Sequence, residues 1–277
     1  MIDLTTNEEA VKMNVRAIFI DMDGTLLKAS NYISRRNMEA IYRLINQGVK
    51  VFLATGRHYE VTAPYHKEIG LQTPMICLNG AAIHDAETGR VMQMKTVRLN
   101  EERFHHLTAE SSCNVIIHTA NGLYCKETNE EIDYWTKVGQ VPPRYIGDLR
   151  QANYQDVLKY SVRTGAPRPE LSALFEKEAE VIDWNDGFEM VAPNVSKWSG
   201  IKSLLTEFRI SPNEVVAIGD GPNDIEMLRH VGMGVAMGNA SEKVKAAANF
   251  VTGHHENDGL AEFIERYLLK SYESYVI

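Results

Sequence analysis

Asp21-Met22-Asp23-Gly24-Thr25-Leu26 follows the apolar run Ala17-Ile18-Phe19-Ile20 and ends it abruptly in charge. A continuous apolar run of this kind reads as a strand buried on both faces. Two carboxylates at its end repel one another and resist leaving water unless positive charge meets them there. A hard cation and a phosphate together would account for them. The cation neutralises the acids, and Gly24, with no side chain, lets backbone N–H groups approach phosphate oxygens. Read alone, the stretch is explained equally well as an acidic turn capping a helix, because Asp and Gly are ordinary turn residues. The rest of the chain decides.

Downstream, Ser34 is placed to cap a helix over Arg35–Gln47, with Gly48 to end it. Val49–Ala54 reads as a strand that stops at Thr55-Gly56-Arg57, a helix is expected over Tyr59–Ile69, and Pro74–Leu78 reads as a strand that stops at Asn79-Gly80-Ala81. This β-α-β-α-β order is the sign of a parallel sheet covered by helices, whose ligands gather at the carboxyl ends of the strands. The texture then changes. Expected next are a hairpin around Asp85–Gly89, a helix over Glu101–Ser111, a hairpin turning at Asn121-Gly122, an acidic helix near Glu130–Lys137, a strand over Leu158–Thr164, a helix over Pro169–Glu178 and strands at Val181–Trp184 and Phe188–Val191. Antiparallel strands with helices between them suggest an inserted α+β module. Parallel α/β character resumes with a helix over Lys197–Phe208, a strand over Glu214–Ile218 ending at Gly219-Asp220-Gly221-Pro222-Asn223-Asp224, a helix over Ile225–Arg229, a strand over Met233–Met237, a helix over Ser241–Ala248, a short strand at Phe250-Val251 and a last helix over Leu260–Leu269. The fold class is therefore α/β, with a core of residues 1–85 and 194–277 and an α+β insert of residues 86–193.

The chain has 277 residues and a net charge of −8, so its surface as a whole does not attract nucleic acid or anionic membrane, and neither is an expected partner. A small anionic substrate would need positive charge placed locally. The three cysteines, Cys77, Cys113 and Cys125, are odd in number and not spaced as CxxC, which suits a reducing compartment and argues against a disulfide framework or structural zinc. Met1 to Lys12 is polar, without the apolar core of a signal peptide, and no stretch is long and apolar enough to span a bilayer. The expected location is the cytoplasm. No motif speaks to the oligomeric state.

Gly219-Asp220-Gly221-Pro222-Asn223-Asp224 repeats the logic of the first stretch: a buried strand ends in acids with glycines beside them. Two such ends in one crevice are mutually destabilising unless a divalent cation joins them. The available ligands are all oxygens, with no Cys or His nearby, which favours magnesium over zinc or copper.

Taken in order, Asp21–Leu26, Thr55-Gly56-Arg57, Lys197 and Gly219–Asp224 resemble the four motifs of the haloacid dehalogenase (HAD) superfamily. The insert between the second and third motifs resembles the C2 cap, and Asn79-Gly80-Ala81 with the αβ composition of the insert is similar to the Cof-type (IIB) phosphatases. The resemblance covers almost the whole chain from Val15. It implies a Rossmann-like core, with a parallel sheet and helices on both faces, and an inserted α+β cap. It also implies that Asp21 is a nucleophile forming an aspartyl-phosphate, and that Asp23 is the general acid for the leaving oxygen and then the base for water. Met22, Thr55, Gly56, Lys197 and Asn223 would hold the phosphate. Mg2+ would be held by Asp21, the Asp23 backbone carbonyl and Asp220, with Asp224 acting directly or through water. The substrate implied is a small phosphorylated metabolite, either a sugar phosphate or a phosphorylated cofactor precursor. Asn79, Gly80 and Glu189 are further candidates for contact with it.

Trp198 stands where the family commonly has glycine, so it is expected to crowd the site or cap the phosphate pocket, and the polar tail before Val15 is longer than usual. Arg57 reads as a structural donor or a near-site charge, with the structural role favoured, and Trp135, Trp184 and Tyr160 read as core of the insert, with stacking of one of them on substrate as the lesser alternative. Two alternatives carry weight. A phosphomutase of the same fold would need clustered cap arginines, whereas Arg98, Arg103, Arg144, Arg150, Arg163 and Arg168 are scattered along the sequence. A non-catalytic phosphometabolite sensor is disfavoured because every motif position is chemically intact.

Overall fold

The computed structural model describes residues 14–110 and 113–269. The polar tail at Met1–Lys12 and the expected helix end at Ser111 lie outside the described residues. The chain runs β1 (Ala17–Ile20), α1 (Arg35–Asn46), β2 (Lys50–Leu53), α2 (Tyr59–Ile69), β3 (Met75–Cys77), β4 (Ala82–His84), β5 (Val91–Met94), α3 (Glu101–Glu110), β6 (Asn114–Thr119), β7 (Gly122–Cys125), α4 (Glu130–Gly139), β8 (Tyr145–Ile146), β9 (Val157–Arg163), α5 (Pro169–Ser172), β10 (Glu180–Trp184) and β11 (Gly187–Val191). It continues with α6 (Lys197–Phe208), β12 (Val215–Gly219), α7 (Ile225–His230), β13 (Met233–Ala236), α8 (Glu242–Lys245), β14 (Phe250–Val251) and α9 (Gly259–Phe263).

β1 is buried along its whole length because strands flank it on both sides and helices cover both faces. The sheet order is β14-β13-β12-β1-β2, all parallel, and an isolated bridge between Ala54 and Ile76 carries the pairing on to β3. Successive side chains of β1 serve opposite layers. Ile18 and Ile20 pack with Leu44 of α1 and Phe263 of α9, while Ala17 and Phe19 pack with Leu204 of α6 and Leu228 of α7. Phe19 stacks on Phe52 of β2 with ring centroids 4.5 Å apart. Since all five strands run the same way, the residues that follow β1, β2, β12 and β13 emerge along one edge, and those residues are polar.

A second lobe is built on a six-stranded sheet of order β10-β11-β9-β6-β7-β8, antiparallel except where β8 runs beside β7. Phe104, Tyr160, Phe175 and Phe188 lie in its core. The expected boundary near residue 86 falls in the turn between β4 and β5. That hairpin pairs with β3, and Gln93 accepts a hydrogen bond from Ser203 of α6 at 2.7 Å, so β5 stays with the first lobe.

Three local expectations differ from the structure. The helix expected over Pro169–Glu178 is a single turn, α5, that tightens at Ala173–Phe175, because only Leu171, Ser172 and Phe175 turn inward. The helix expected over Ser241–Ala248 stops at Lys245. Asn249 bonds to Gly234 through both its backbone N–H and its side chain, each at 2.8 Å, and draws the chain back into the sheet. β8, two residues long, carries no sequence signal. All three cysteines are free and buried. Among the described residues no helix is long and apolar enough to cross a membrane.

Candidate active site

After β1 the chain makes one wide turn, in which the N–H of Leu26 bonds to the Asp21 carbonyl at 3.2 Å and that of Leu27 to the Met22 carbonyl at 2.9 Å. The Met22 side chain is buried in the core and anchors the turn, so only its backbone can face a phosphate. Asp21 is buried, whereas Asp23 points outward with a 58% exposed side chain. Gly24 sits at φ +73°, and a Cβ there would lie 2.2 Å from Oδ2 of Asp220. The glycine therefore provides both a left-handed residue and room for the acid opposite.

Lys197 is the first residue of α6, whose N-terminus is capped by Ser196 through a bond from Ser199 N–H at 3.1 Å. A lysine there opposes the helix dipole. Two carboxylates outweigh that: its ammonium donates to Asp21 Oδ1 at 2.5 Å and to Asp224 Oδ1 at 2.6 Å, with the side chain fully buried. Burial works against the charge, but Asp21 and Asp224 hold Lys197 above its ordinary pKa. The other oxygen of Asp224 accepts from the backbone N–H groups of Asp220 (3.0 Å) and Gly221 (2.9 Å). Asp220 accepts from Asn239 Nδ2 at 3.0 Å and from Thr25 Oγ1 at 3.4 Å, and Asn239 also donates to the Gly24 carbonyl at 2.9 Å.

Carboxylate oxygens of Asp21, Asp220 and Asp224 lie within 4.8 Å of one another. Burial raises Asp21 well above the ordinary carboxylate value, against the pull of Lys197, and the neighbouring Asp224 and Asp220 add to the rise. Burial, with Asp224 next, pushes Asp220 up to about 7. Three acids facing one ammonium carry surplus negative charge, and their oxygen-only donor set fits a hard divalent cation.

The other sequence candidates converge on the same edge. Thr55 is buried and its Oγ1 accepts from the Arg57 N–H at 3.0 Å. The Asn79–Gly80 corner is wedged tightly: a Cβ on Gly56 would lie 3.0 Å from Asn79 Oδ1, and one on Gly80 would lie 2.1 Å from the Ser196 carbonyl. Asn79 Oδ1 accepts from Asn223 Nδ2 at 2.8 Å, and Asn79 Nδ2 donates to Glu189 of β11 at 2.9 Å. Asp21, Asp23, Asp220, Asn223 and Glu189 line one cleft of about 640 Å³ between the lobes, whose far wall includes Tyr134, Trp135, Lys159, Arg163, Trp184 and Asp186.

Two readings are decided by the geometry. Arg57 is the near-site charge rather than only a structural donor: its guanidinium grips both oxygens of Asp23, at 2.8 and 2.5 Å, and reaches Asn31 Oδ1 (2.6 Å) and the Tyr134 hydroxyl of α4 (3.1 Å). Trp198 neither crowds the site nor caps it, but turns away into the core and stacks on His230 with centroids 5.1 Å apart. Of the aromatics read as core of the insert, Tyr160 is buried there, whereas Trp135 and Trp184 also face the cleft. Sequence reasoning missed Asn239, although its place just after β13 marks it by the strand-end rule. Apart from Glu189, Trp135 and Trp184, already singled out, the cleft residues of the second lobe have no comparable signal.

Comparisons with known proteins agree with this geometry. Residues 18–264 match the family model of haloacid dehalogenase-like hydrolases. The chain is 31% identical over 265 residues to the 5-amino-6-(5-phospho-D-ribitylamino)uracil phosphatase YitU of Bacillus subtilis, covering 90% of this chain and 96% of that protein. It is 30% identical to the pyridoxal phosphate phosphatase YbhA of Escherichia coli, covering 93% of this chain and all of the relative, 100%. Among solved structures, a HAD subclass IIB sugar phosphatase superposes with a TM-score of 0.79 at 25% identity, covering 92% of this chain and 100% of that one. With the acid pair, the lysine and the second acidic strand end brought to one edge, the chain belongs to the haloacid dehalogenase-like hydrolases, as a phosphatase of the IIB type.

Proposed function

We propose that the protein is a magnesium-dependent phosphatase that hydrolyses a small phosphorylated metabolite through an aspartyl-phosphate on Asp21, with the second lobe as a lid. The observation that carries this reading is the buried Asp21 carboxylate, held by Lys197 at 2.5 Å beside Asp220 and opening on the cleft. The free oxygen of Asp21 attacks phosphorus as the bond to the leaving oxygen breaks, and Asp23 gives that oxygen its proton. Asp23 then takes a proton from water, which attacks the same phosphorus and releases inorganic phosphate and the Asp21 carboxylate. Lys197, Thr55, Asn223 and the backbone around Met22 and Gly56 supply donors to the phosphoryl oxygens as charge shifts among them. Asp21, Asp220 and the Asp23 carbonyl would hold magnesium, which when bound offsets the surplus negative charge of acids and phosphate. Asp224 would support that site directly or through water, and its oxygens accept from Lys197 and from the Asp220 and Gly221 N–H groups. Arg57 fixes where the Asp23 carboxylate sits.

Trp135 and Trp184 offer apolar ring faces, and Arg163 with the acids beside it offers polar partners. That mixture suits a leaving group with a ring face and several polar substituents, such as a phosphorylated cofactor precursor or a sugar phosphate. Of the six arginines a phosphomutase reading would draw on, Arg163 alone among them lines the cleft, which favours hydrolysis over bisphosphate exchange. Three free, buried cysteines suit the cytoplasmic location expected from the sequence. The test is a screen of phosphorylated metabolites with magnesium, reading free phosphate, alongside Asp21→Asn. Release is expected from the parent protein and not from the variant. Release unchanged in Asp21→Asn, or surviving complete removal of divalent metal, would overturn the mechanism.

A further inference from the structure

Both oxygens of Glu189 are engaged by protein donors. Its Oε1 accepts from Lys159 Nζ (2.7 Å), Ser161 Oγ (3.2 Å) and Arg163 Nη2 (3.4 Å), and its Oε2 accepts from Asn79 Nδ2 (2.9 Å). The carboxylate is buried, and Lys159 and Arg163 outweigh that burial to keep it ionised, at about 2. Glu189 belongs to the second lobe and Asn79 to the first, so this bond exists only when the lobes meet.

A carboxylate accepts and cannot donate. Its charge therefore decides which end of the Asn79 amide faces it: the NH2 group turns to Glu189 and the carbonyl turns away. That carbonyl accepts from Asn223 Nδ2 at 2.8 Å. Asn223 in turn spends one N–H on Asn79 and keeps the other, on the same nitrogen, for the cleft it lines. A glutamine at position 189, with its carbonyl drawn to Lys159 and Arg163, would impose the reverse polarity. We propose that Glu189 is a positioning residue, whose charge, delivered by the second lobe, sets the Asn79 and Asn223 amides so that Asn223 presents an N–H rather than a carbonyl to the phosphate. The inference rests on the reading of Asn223 as a phosphate donor.

Glu189→Gln tests it. The glutamine carbonyl turns to the Lys159 and Arg163 cations, its NH2 turns to Asn79, and both asparagine amides reverse. Asn223 then offers a carbonyl to phosphate. The affinity for inorganic phosphate with magnesium, read by calorimetry, falls roughly ten- to hundredfold, as does kcat/KM on p-nitrophenyl phosphate. Adding Asn79→Asp to that variant restores an acceptor to both neighbours, and the double variant recovers to within about threefold of the parent. A purely structural role for Glu189 predicts no such rescue from removing an amide. Should Glu189→Gln fail to fold, Asn79→Ala, which leaves Glu189 with its cations, lowers phosphate affinity severalfold by freeing Asn223 to rotate. Tight phosphate binding in Glu189→Gln, no gain in the double variant, unchanged affinity in Asn79→Ala, or a parent protein that does not bind phosphate overturns the proposal. The rescue pattern in phosphate binding without any turnover by the parent protein would instead keep the relay and reject the phosphatase reading.

Discussion

Lys197→Met removes the ammonium that stands between Asp21 and Asp224, at 2.5 and 2.6 Å, and leaves a side chain of similar length in its place. The lysine is fully buried, so neither acid gains water to replace it. Removing one partner of a buried pair costs about 3–5 kcal/mol, because the charge left behind has nothing to meet it. For a chain of this size that corresponds to a fall in melting temperature on the order of 10 °C. The loss depends on pH with a definite sign. Burial already holds Asp21 well above the ordinary carboxylate value, and without the ammonium that opposes the rise its pKa goes higher still. A carboxyl whose folded pKa lies above its unfolded one binds its proton more readily in the folded chain, so stability grows as pH falls through the folded value. Circular dichroism melts without divalent metal are therefore expected to show a large deficit against the parent protein at about pH 8 and a smaller one at about pH 5. Phosphate release falls roughly a thousandfold, since a preorganised charge next to the reacting group is gone. A melting temperature at about pH 8 equal to the parent's, or turnover within about tenfold of it, would refute the reasoning.

Gly24→Ala forces a left-handed residue to carry a Cβ 2.2 Å from Asp220 Oδ2, so it adds about 1 kcal/mol of backbone strain and pushes the acid aside. The magnesium concentration that half-activates phosphate release is expected to rise at least about tenfold, and an unchanged magnesium titration would count against a metal role for Asp220. In the parent protein freed of divalent metal, burial holds Asp220 at about 7, above its unfolded value. Melting temperature should then fall as pH rises from about 5 to 8, and added magnesium should raise it most at the upper end; a magnesium effect equal at both ends would contradict the assignment.

The site was legible where chemistry sits at the end of a strand. Asp21, Thr55, Asn79 and Asp220 each follow a buried apolar run, and a parallel sheet leaves such ends along one edge, so their meeting follows from local pattern and one rule of topology. Helix bounds were legible where caps are. α2 ends at Gly70 in the left-handed conformation and α6 begins behind the Ser196 capping box, and both spans match the sequence expectation. What was not legible depends on how separate pieces dock. The grip of Arg57 on Asp23 requires the turn after β1 and the segment before α2 to lie side by side, and the bond to Tyr134 requires the second lobe to close on both. Nothing local distinguishes Arg57 from an arginine that only supports a loop. Trp198 shows the reverse case: a residue next to Lys197 in sequence lies about 100° further round the helix, and it packs in the core against His230.

The charges are divided between the lobes in a way that bears on how the cleft opens. Lys197 pairs with Asp21 and Asp224, and Arg57 with Asp23, all within the first lobe. Lys159 pairs with Glu189, and Arg163 with Glu131 and Glu189, all within the second. Among the described residues, bonds that cross between them join a charged group to a neutral one, or two neutral ones: Lys159 to the Gly56 carbonyl at 2.8 Å, Asn79 to Glu189, Arg57 to the Tyr134 hydroxyl, and Tyr65 to Tyr134. Breaking these bonds as the lobes separate returns hydrogen-bonding groups to water and leaves Lys197, Arg57, Lys159 and Arg163 each with its ionic partner. Removing a buried ion from its partner would cost several kcal/mol, whereas exchanging a hydrogen bond for one to water costs about 1 kcal/mol. If the second lobe is the lid proposed above, this division lets it part from the first lobe at low cost, and the crossing bond that reaches Asn223 runs through an amide rather than a second cation.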